Sequence, residues 1–447
     1  FGDQCPQMRG MLADKGPMSE DCLRVNVWTP AADAAGRPVM LWFHGGGFEA
    51  GSASQKVYDG TRLALRGDVV VVTINHRLNV YGHCYLGDRM GEAYAGSGNA
   101  GYLDLIAAMR WVRENIAAFG GDPANVTIFG QSGGGRKVSL CYAGADAQGL
   151  FARGIVQSGS HLRVQTPEQA ARLTEALLTQ LEIAPADIGK LLEVPVETLT
   201  RAQLRVMRET RSRFSPVLDG LAFTEHPFLP QAPARSNALP MMVGTTRTEL
   251  SNQLGYEDGA FNLDMTELRR RLARFVPAED VESAIETFQA SIPGASASEL
   301  YFTIASARGY VLDATLMAEQ RARAQAAPTY LYQLTWRSPA DGGKHISQHT
   351  LDLPFMFDNV AAATHLTGPE SEETRSLAQA MSDTWISFAR TGDPNNAAIP
   401  EWRPYDLTER PTLLFEVPPR LASDPWAAER EFMSRYPSQQ MGRTLHR

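Results

Sequence analysis

The chain has 447 residues, a formal charge of −8 at pH 7, and 43% hydrophobic against 21% charged residues. That balance excludes a disordered polymer, and an acidic chain without a dense Lys/Arg run carries no electrostatic footprint for nucleic acid or an anionic membrane surface. No apolar run approaches the roughly 18 residues of a membrane span, so a soluble protein acting on small molecules is expected.

In chain order, the runs "LRVNVW" (23–28), "PVMLWF" (38–43) and "VVVVTI" (69–74) read as strands, several of them apolar on both faces as buried strands are. The segment "YLDLIAAMRWVRENIAAF" follows, with Leu105, Met109, Val112 and Ile116 at helical spacing. Further strands are expected at "NVTIF" (125–129), "ARGIVQ" (152–157), "LPMMVG" (239–244), "TYLYQLTW" (329–336) and "TLLFEV" (412–417). Alternation of this kind predicts an α/β class: a mostly parallel twisted sheet flanked by helices. From about 162 to 330 the texture turns helical. "TPEQAARLTEALLTQLEI" opens as a capped helix, with Thr166 at the N-cap, Pro167 next and Gln169 three on. The length alone suggests about three domains, but large α/β enzymes keep such lengths around one sheet. A single unit, 1–447, is expected, with helical covering segments at about 162–235 and 250–325 over the carboxyl ends of the strands.

The stretch "VTIFGQSGGGRK" places Ser132 between Gly130 and Gly134 in a G-x-S-x-G spacing, directly after an apolar strand. A serine lifted on a strained strand-to-helix turn needs flanking positions without a Cβ. Its hydroxyl is a poor nucleophile and requires a base, a group that orients the base, and donors for the oxyanion formed on attack. Donors are offered by the bare backbone of Gly45, Gly46 and Gly47 in "LWFHGGGFEAG", and by the amide of Gly133. With the order serine, acid, histidine, the base candidates are His161, His226, His345, His349, His365 and His446. His349, in "SQHTLDLPFMF", lies in a loop beyond the strand "TYLYQLTW" where an imidazole could meet Ser132, and His345 competes with it on spacing. For the acid, Glu249 follows one buried strand and Asp219, in "PVLDG", a weaker one. The residues alone leave both open.

Taken together, "SEDCLRVNVWTP", "HGGGF", "GNAGYLDLIAAMRWV", "FGGDPANVTIFGQSGGG", "PVLDG", "LDLPFMF", "WISFARTGDPN" and "WRPYD" resemble, in order, the type-B carboxylesterase and lipase family that includes the cholinesterases. The resemblance spans almost the whole chain. It implies an α/β-hydrolase fold, a catalytic triad of Ser132, Glu249 and His349, and oxyanion donors at Gly46, Gly47 and Gly133. The family's G-x-x-x-x-E segment is matched by Gly244 to Glu249, in preference to Asp219. Three departures stand out: Gln131 replaces the usual glutamate before the serine, Gly133 a common alanine after it, and Leu250 a common glycine after the acid. The resemblance also implies a Cys5–Cys22 disulfide, which closes a loop worth about 3 kcal/mol and goes with a secreted or periplasmic protein rather than a cytoplasmic one. Cys84 and Cys141 read as small core residues.

The implied activity is hydrolysis of carboxylic esters through an acyl-enzyme, with water as second substrate and no metal or cofactor. Members resembling this chain act on aryl and alkyl esters, phthalate diesters and mycotoxin side-chain esters. An amidase or thioesterase shares the same residues, and a non-catalytic binding module is the remaining alternative, because some members of the family have lost the serine.

Overall fold

The computed structural model describes residues 1–8, 10 and 16–440. One nine-stranded sheet contains β1 (Arg24–Trp28), β2 (Arg37–Phe43), β3 (Val70–Asn75), β4 (Gly121–Gln131), β5 (Arg153–Gln157), β6 (Met241–Thr246), β7 (Thr329–Leu334), β8 (Pro411–Phe415) and β9 (Arg420–Ser423). Its spatial order is β1-β3-β2-β4-β5-β6-β7-β8-β9. The strands from β3 to β8 in that order are parallel, and antiparallel β1 and β9 close the two edges. All the strands expected from the sequence are present. β9 was not legible: "RLAS" is short, with exposed ends, and it forms by pairing with β8. "PVLDG" makes no strand beyond an isolated bridge between Val217 and Gln165.

The helices that bear on the site are α1 (Ala100–Asn115), α2 (Gly133–Ala143), α3 (Pro167–Gln180), α4 (Val196–Thr210), α5 (Ala297–Ser306), α6 (Leu312–Arg323) and α7 (Glu372–Thr391). The period of two along β2 sorts the core into two layers. Val39, Leu41 and Phe43 meet α1, α2 and α6 through Leu105, Met109, Val138 and Met317. Met40 and Trp42 face the other way, toward Leu377, Met381 and Trp385 of α7. Trp42 is fully buried and meets Phe129 and Phe357 edge-on, at ring distances of 4.9 and 5.0 Å. Each such side chain contributes about 2–3 kcal/mol by burial, which is what fixes the register of the strands beneath the site.

Two further apolar clusters belong to the covering segments. Leu173 and Leu177 of α3 pack with Leu199 and Val206 of α4, and the expected capping box is formed: Thr166 Oγ1 accepts from Gln169 N at 3.3 Å while Gln169 Oε1 accepts from Thr166 N at 3.2 Å. Tyr301 and Phe302 of α5 pack with Leu250, Leu254 and Phe432. No helix among the described residues is long and apolar enough to cross a membrane.

All four cysteines are buried and free. Cys84 and Cys141 sit in apolar clusters, as expected. The Cys5–Cys22 bridge is not formed in this structure. The two side chains lie next to each other, and the amide of Leu78 donates to Cys5 Sγ at 3.2 Å.

Candidate active site

β4 ends at Gln131 and α2 begins at Gly133, so Ser132 makes the turn alone, at φ 58° and ψ −121°. A non-glycine residue held there stores on the order of 1–3 kcal/mol of strain. Two bonds enforce it: Ser132 N–H donates to Gln157 O at 2.8 Å, and Arg136 N–H donates to Ser132 O at 3.1 Å. The turn presses its backbone onto β2 and the loop beyond. A Cβ on Gly134 would stand 1.9 Å from Phe43 O, and one on Gly133 would stand 2.2 Å from Gly47 O. The glycines therefore clear space as the spacing predicts, and the N-terminus of α2 turns its positive dipole end toward the serine.

The same contact brings the backbone of Gly133 against Gly47, and Gly46 and Gly47 line one cavity with Ser132. Lys137, one turn along α2 and 1% exposed, holds this loop from beneath: its Nζ donates to His44 O at 2.9 Å and Gly47 O at 3.1 Å. Burial, with Arg136 beside it, pushes the amine down to about 7. His44 is neutral, pushed down to about 3 by burial and then by the Lys137 charge; its Nδ1–H donates to Gly45 O at 2.8 Å and its ring stacks on His76 at 4.8 Å.

Glu249 and His349 come from loops after β6 and β7. Glu249 is fully buried; its Oε2 is hydrogen-bonded to His349 Nδ1 and its Oε1 accepts from Thr246 N at 2.7 Å. The two loops are fastened together next to these residues. Thr248 and Gln348 form a parallel bridge, Thr248 N–H donates to Ser347 O at 3.0 Å, and Ser347 N–H donates to Thr248 Oγ1 at 2.8 Å. His345 serves this fastening: its carbonyl accepts from Thr248 Oγ1 at 3.0 Å and Ser251 Oγ at 2.6 Å. Asp219 is placed elsewhere, accepting from Asn99 Nδ2 at 2.7 Å and from the amides of Leu221 and Phe223 in its own turn. His161 and His365 line the cavity, His226 does not, and His446 lies outside the described residues.

Ser132 and His349 line a cavity of about 1810 Å³ at the carboxyl ends of the strands, with walls from both covering segments. Of its neighbours, Gln131 stood out in the sequence as a departure before the serine, whereas Tyr310 and Asp352 were missed. Gln131 Nε2 lies 3.2 Å from His349 Nε2 and 3.4 Å from Nδ1. Tyr310, on a π-helical stretch (Ala307–Val311) joining α5 to α6, meets the imidazole at a ring distance of 5.1 Å. Asp352 is buried near both Glu249 and His349, pushed up to about 6 by burial, and accepts from Gln157 Nε2 at 2.7 Å; Gln157 Oε1 in turn accepts from Trp385 Nε1 at 3.0 Å. Lys137 also left a local signal, a charge three and four residues before Leu140 and Cys141 on the buried stripe of α2. Among the described residues, no group of three or more His, Cys, Asp and Glu side chains is placed to hold a metal.

The model of the carboxylesterase family matches residues 1–433. The chain is 34% identical to the para-nitrobenzyl esterase of Bacillus subtilis, over 96% of this chain and 87% of that protein. It is 31% identical to the acylcarnitine hydrolase of Mus musculus, over 91% and 73%. Among solved structures, a carboxylesterase of Geobacillus stearothermophilus superposes with a TM-score of 0.84 at 38% identity, covering 96% of this chain and 88% of its own. An esterase from anaerobic Clostridium hathewayi that can hydrolyze aliphatic aromatic polyesters superposes with a TM-score of 0.79 at 31% identity, covering 97% and 88%.

Proposed function

The chain belongs to the carboxylesterase family and is a carboxylic ester hydrolase, and on that premise we propose that Ser132, His349 and Glu249 carry the reaction through an acyl-enzyme. Ser132 Oγ bonds to the ester carbonyl carbon as its proton passes to His349 Nε2, the nitrogen not engaged by Glu249. The carbonyl oxygen becomes an oxyanion facing the amides of Gly46, Gly47 and Gly133, each worth on the order of 3 kcal/mol to the transition state. Collapse breaks the bond to the alcohol oxygen, which takes the proton from His349. Water then repeats the sequence: its proton goes to His349, its oxygen to the acyl carbon, and the acid leaves as Ser132 regains its proton. Glu249 stays ionised, fixes the tautomer and stabilises the imidazolium. Gln131, a neutral amide, approaches the same ring without adding a second carboxylate charge to it.

One observation carries this reading: a fully buried carboxylate holds Nδ1 of an imidazole whose ring borders the cavity that Ser132 also lines. The volume exceeds the usual 300–1,000 Å³ of ligand pockets and favours bulky esters, with aryl, alkyl, phthalate and mycotoxin side-chain esters all within its size. In this reading residues 1–447 act as one catalytic unit. The adjacency of Cys5 and Cys22 supports a bridge under oxidising conditions and so a secreted or periplasmic setting; denatured, unreduced protein from its native source is expected to titrate two thiols, and four would remove that support.

Intact-protein mass after reaction with a fluorophosphonate tests the nucleophile. A single adduct is expected on the wild type and none on Ser132→Ala, whose turnover of p-nitrophenyl esters falls by more than about 10³. An adduct that persists in the variant overturns the assignment.

A further inference from the structure

The whole chain is acidic, at −8, yet the cavity is not. Among the side chains lining it, lysines and arginines outnumber aspartates and glutamates seven to two. The cations fall into two groups. Lys56, Arg172, Arg211 and Lys344 are exposed, and Lys344 is paired with Asp341 at 2.5 Å. Arg136, Arg163 and Arg213 are half-buried in the wall. Arg136 stands in the first turn of α2, four residues after Ser132. Arg213 is joined to Glu49 at 2.5 Å, and its charge and that of Arg136 repel.

The groups behind the lining do not cancel this excess. They include the buried cations Lys137 and Arg308 and the buried carboxyls Glu249, Asp313 and Asp352, of which Asp313 faces Arg136, Arg163 and Arg308. Burial pushes Asp313 up to about 7 and Lys137 down to about 7, so each carries only part of its charge at neutral pH. A cleft with low-dielectric walls focuses such a field, so an anion gains both in approach and in residence.

We propose that the preferred substrates are esters carrying a carboxylate, half-esters of dicarboxylic acids above all, with the free carboxylate received by Arg136, Arg163 and Arg213 while the ester meets Ser132. The inference rests on the esterase reading of the same site. Hydrolysis of a half-ester at neutral pH yields a dicarboxylate, an alcohol and a proton, so the site attracts a substrate of charge −1 and holds the product of charge −2 more strongly still.

Two matched pairs test it, each assayed for kcat/KM by titration of released acid. Monoethyl adipate against ethyl adipamate places the charge on the acyl side, and 4-acetoxybenzoate against 4-acetoxybenzamide places it on the alcohol side. The carboxylate of at least one pair is expected to be about tenfold better, and the advantage to shrink as salt rises from about 20 to about 500 mM. Arg136→Gln and Arg213→Gln, assayed separately, are expected to lower the ratio of carboxylate to carboxamide within that pair. Carboxylates no better than carboxamides in both pairs, or an advantage insensitive to salt, overturn the proposal while turnover of the carboxamides leaves the esterase reading intact. Failure of all four esters while p-nitrophenyl esters are still turned over overturns this proposal alone, and failure of the p-nitrophenyl esters as well overturns the esterase reading with it.

Discussion

The turn at Ser132 and the pair Glu249–His349 reach one cavity by different means. The turn is positioned by the absence of side chains: Gly134 lies against β2 and Gly133 against Gly47, at separations no Cβ tolerates. The pair is positioned by side-chain bonds between two loops, Thr248 to Ser347 and His345, and Asn252 Nδ2 to His349 O at 3.2 Å. Steric exclusion is all or nothing, whereas a hydrogen-bonded fastening yields by degrees. The serine side of the site should therefore fail through folding, and the histidine side through chemistry.

The largest effect separates those two modes. Glu249→Gln keeps the shape of the side chain but presents a neutral group to His349 Nδ1, with no charge to stabilise the imidazolium. By the behaviour of other triads kcat is expected to fall about 10⁴-fold with KM little changed. The melting temperature should move only modestly. Loss of folded protein instead of loss of rate would place the fastening, not the charge, at the centre of Glu249's role. Gly134→Ala should do the reverse. Its methyl meets the carbonyl of Phe43 in a strand buried on both faces, so the cost is expected to be several kcal/mol in denaturant unfolding, about 4 as a guide. A variant that unfolds at the wild-type midpoint would show that β2 gives way, and that this turn is not set by exclusion.

The same contrast governs what the sequence disclosed. Absent side chains are visible in a sequence: G-x-S-x-G and three successive glycines announce a close backbone approach, and period-two runs announce the strands beneath. Bonds between distant loops are not. Glu249 and Asp219 both followed a strand-like run, so pattern alone left them in competition until the resemblance chose Glu249, and the folded chain shows Asp219 spent on its own turn and Glu249 on His349. Gln131, Tyr310 and Asp352 converge on the imidazole from three separate stretches. The cationic wall was equally hidden, because Arg136, Arg163 and Arg213 are scattered among solvated charges and become a group only in the cavity.

Lys137 joins the two modes, since a side chain here positions a loop built of glycine. Lys137→Met keeps the stem and removes the donors to His44 O and Gly47 O. The Gly46 and Gly47 amides then lose their support just where charge develops in the transition state, and kcat is expected to fall about tenfold with KM nearly unchanged. Stability supplies an independent readout. The folded amine, held down to about 7 by burial, releases its proton well below the ordinary lysine value of 10.5. Between those values the unfolded chain binds the proton and the folded chain does not, so wild-type stability gains from rising pH, by at most about 1.4 kcal/mol per pH unit. Below about 7 both states are protonated and the burial of the ammonium counts in full against the fold. The variant lacks this group, so the stability of wild type relative to Lys137→Met should grow between pH 7 and pH 9 in paired denaturant titrations. A gap that stays flat across that range would mean the ammonium is solvated, and a raised KM with unchanged kcat would mean that the glycine loop holds its own shape.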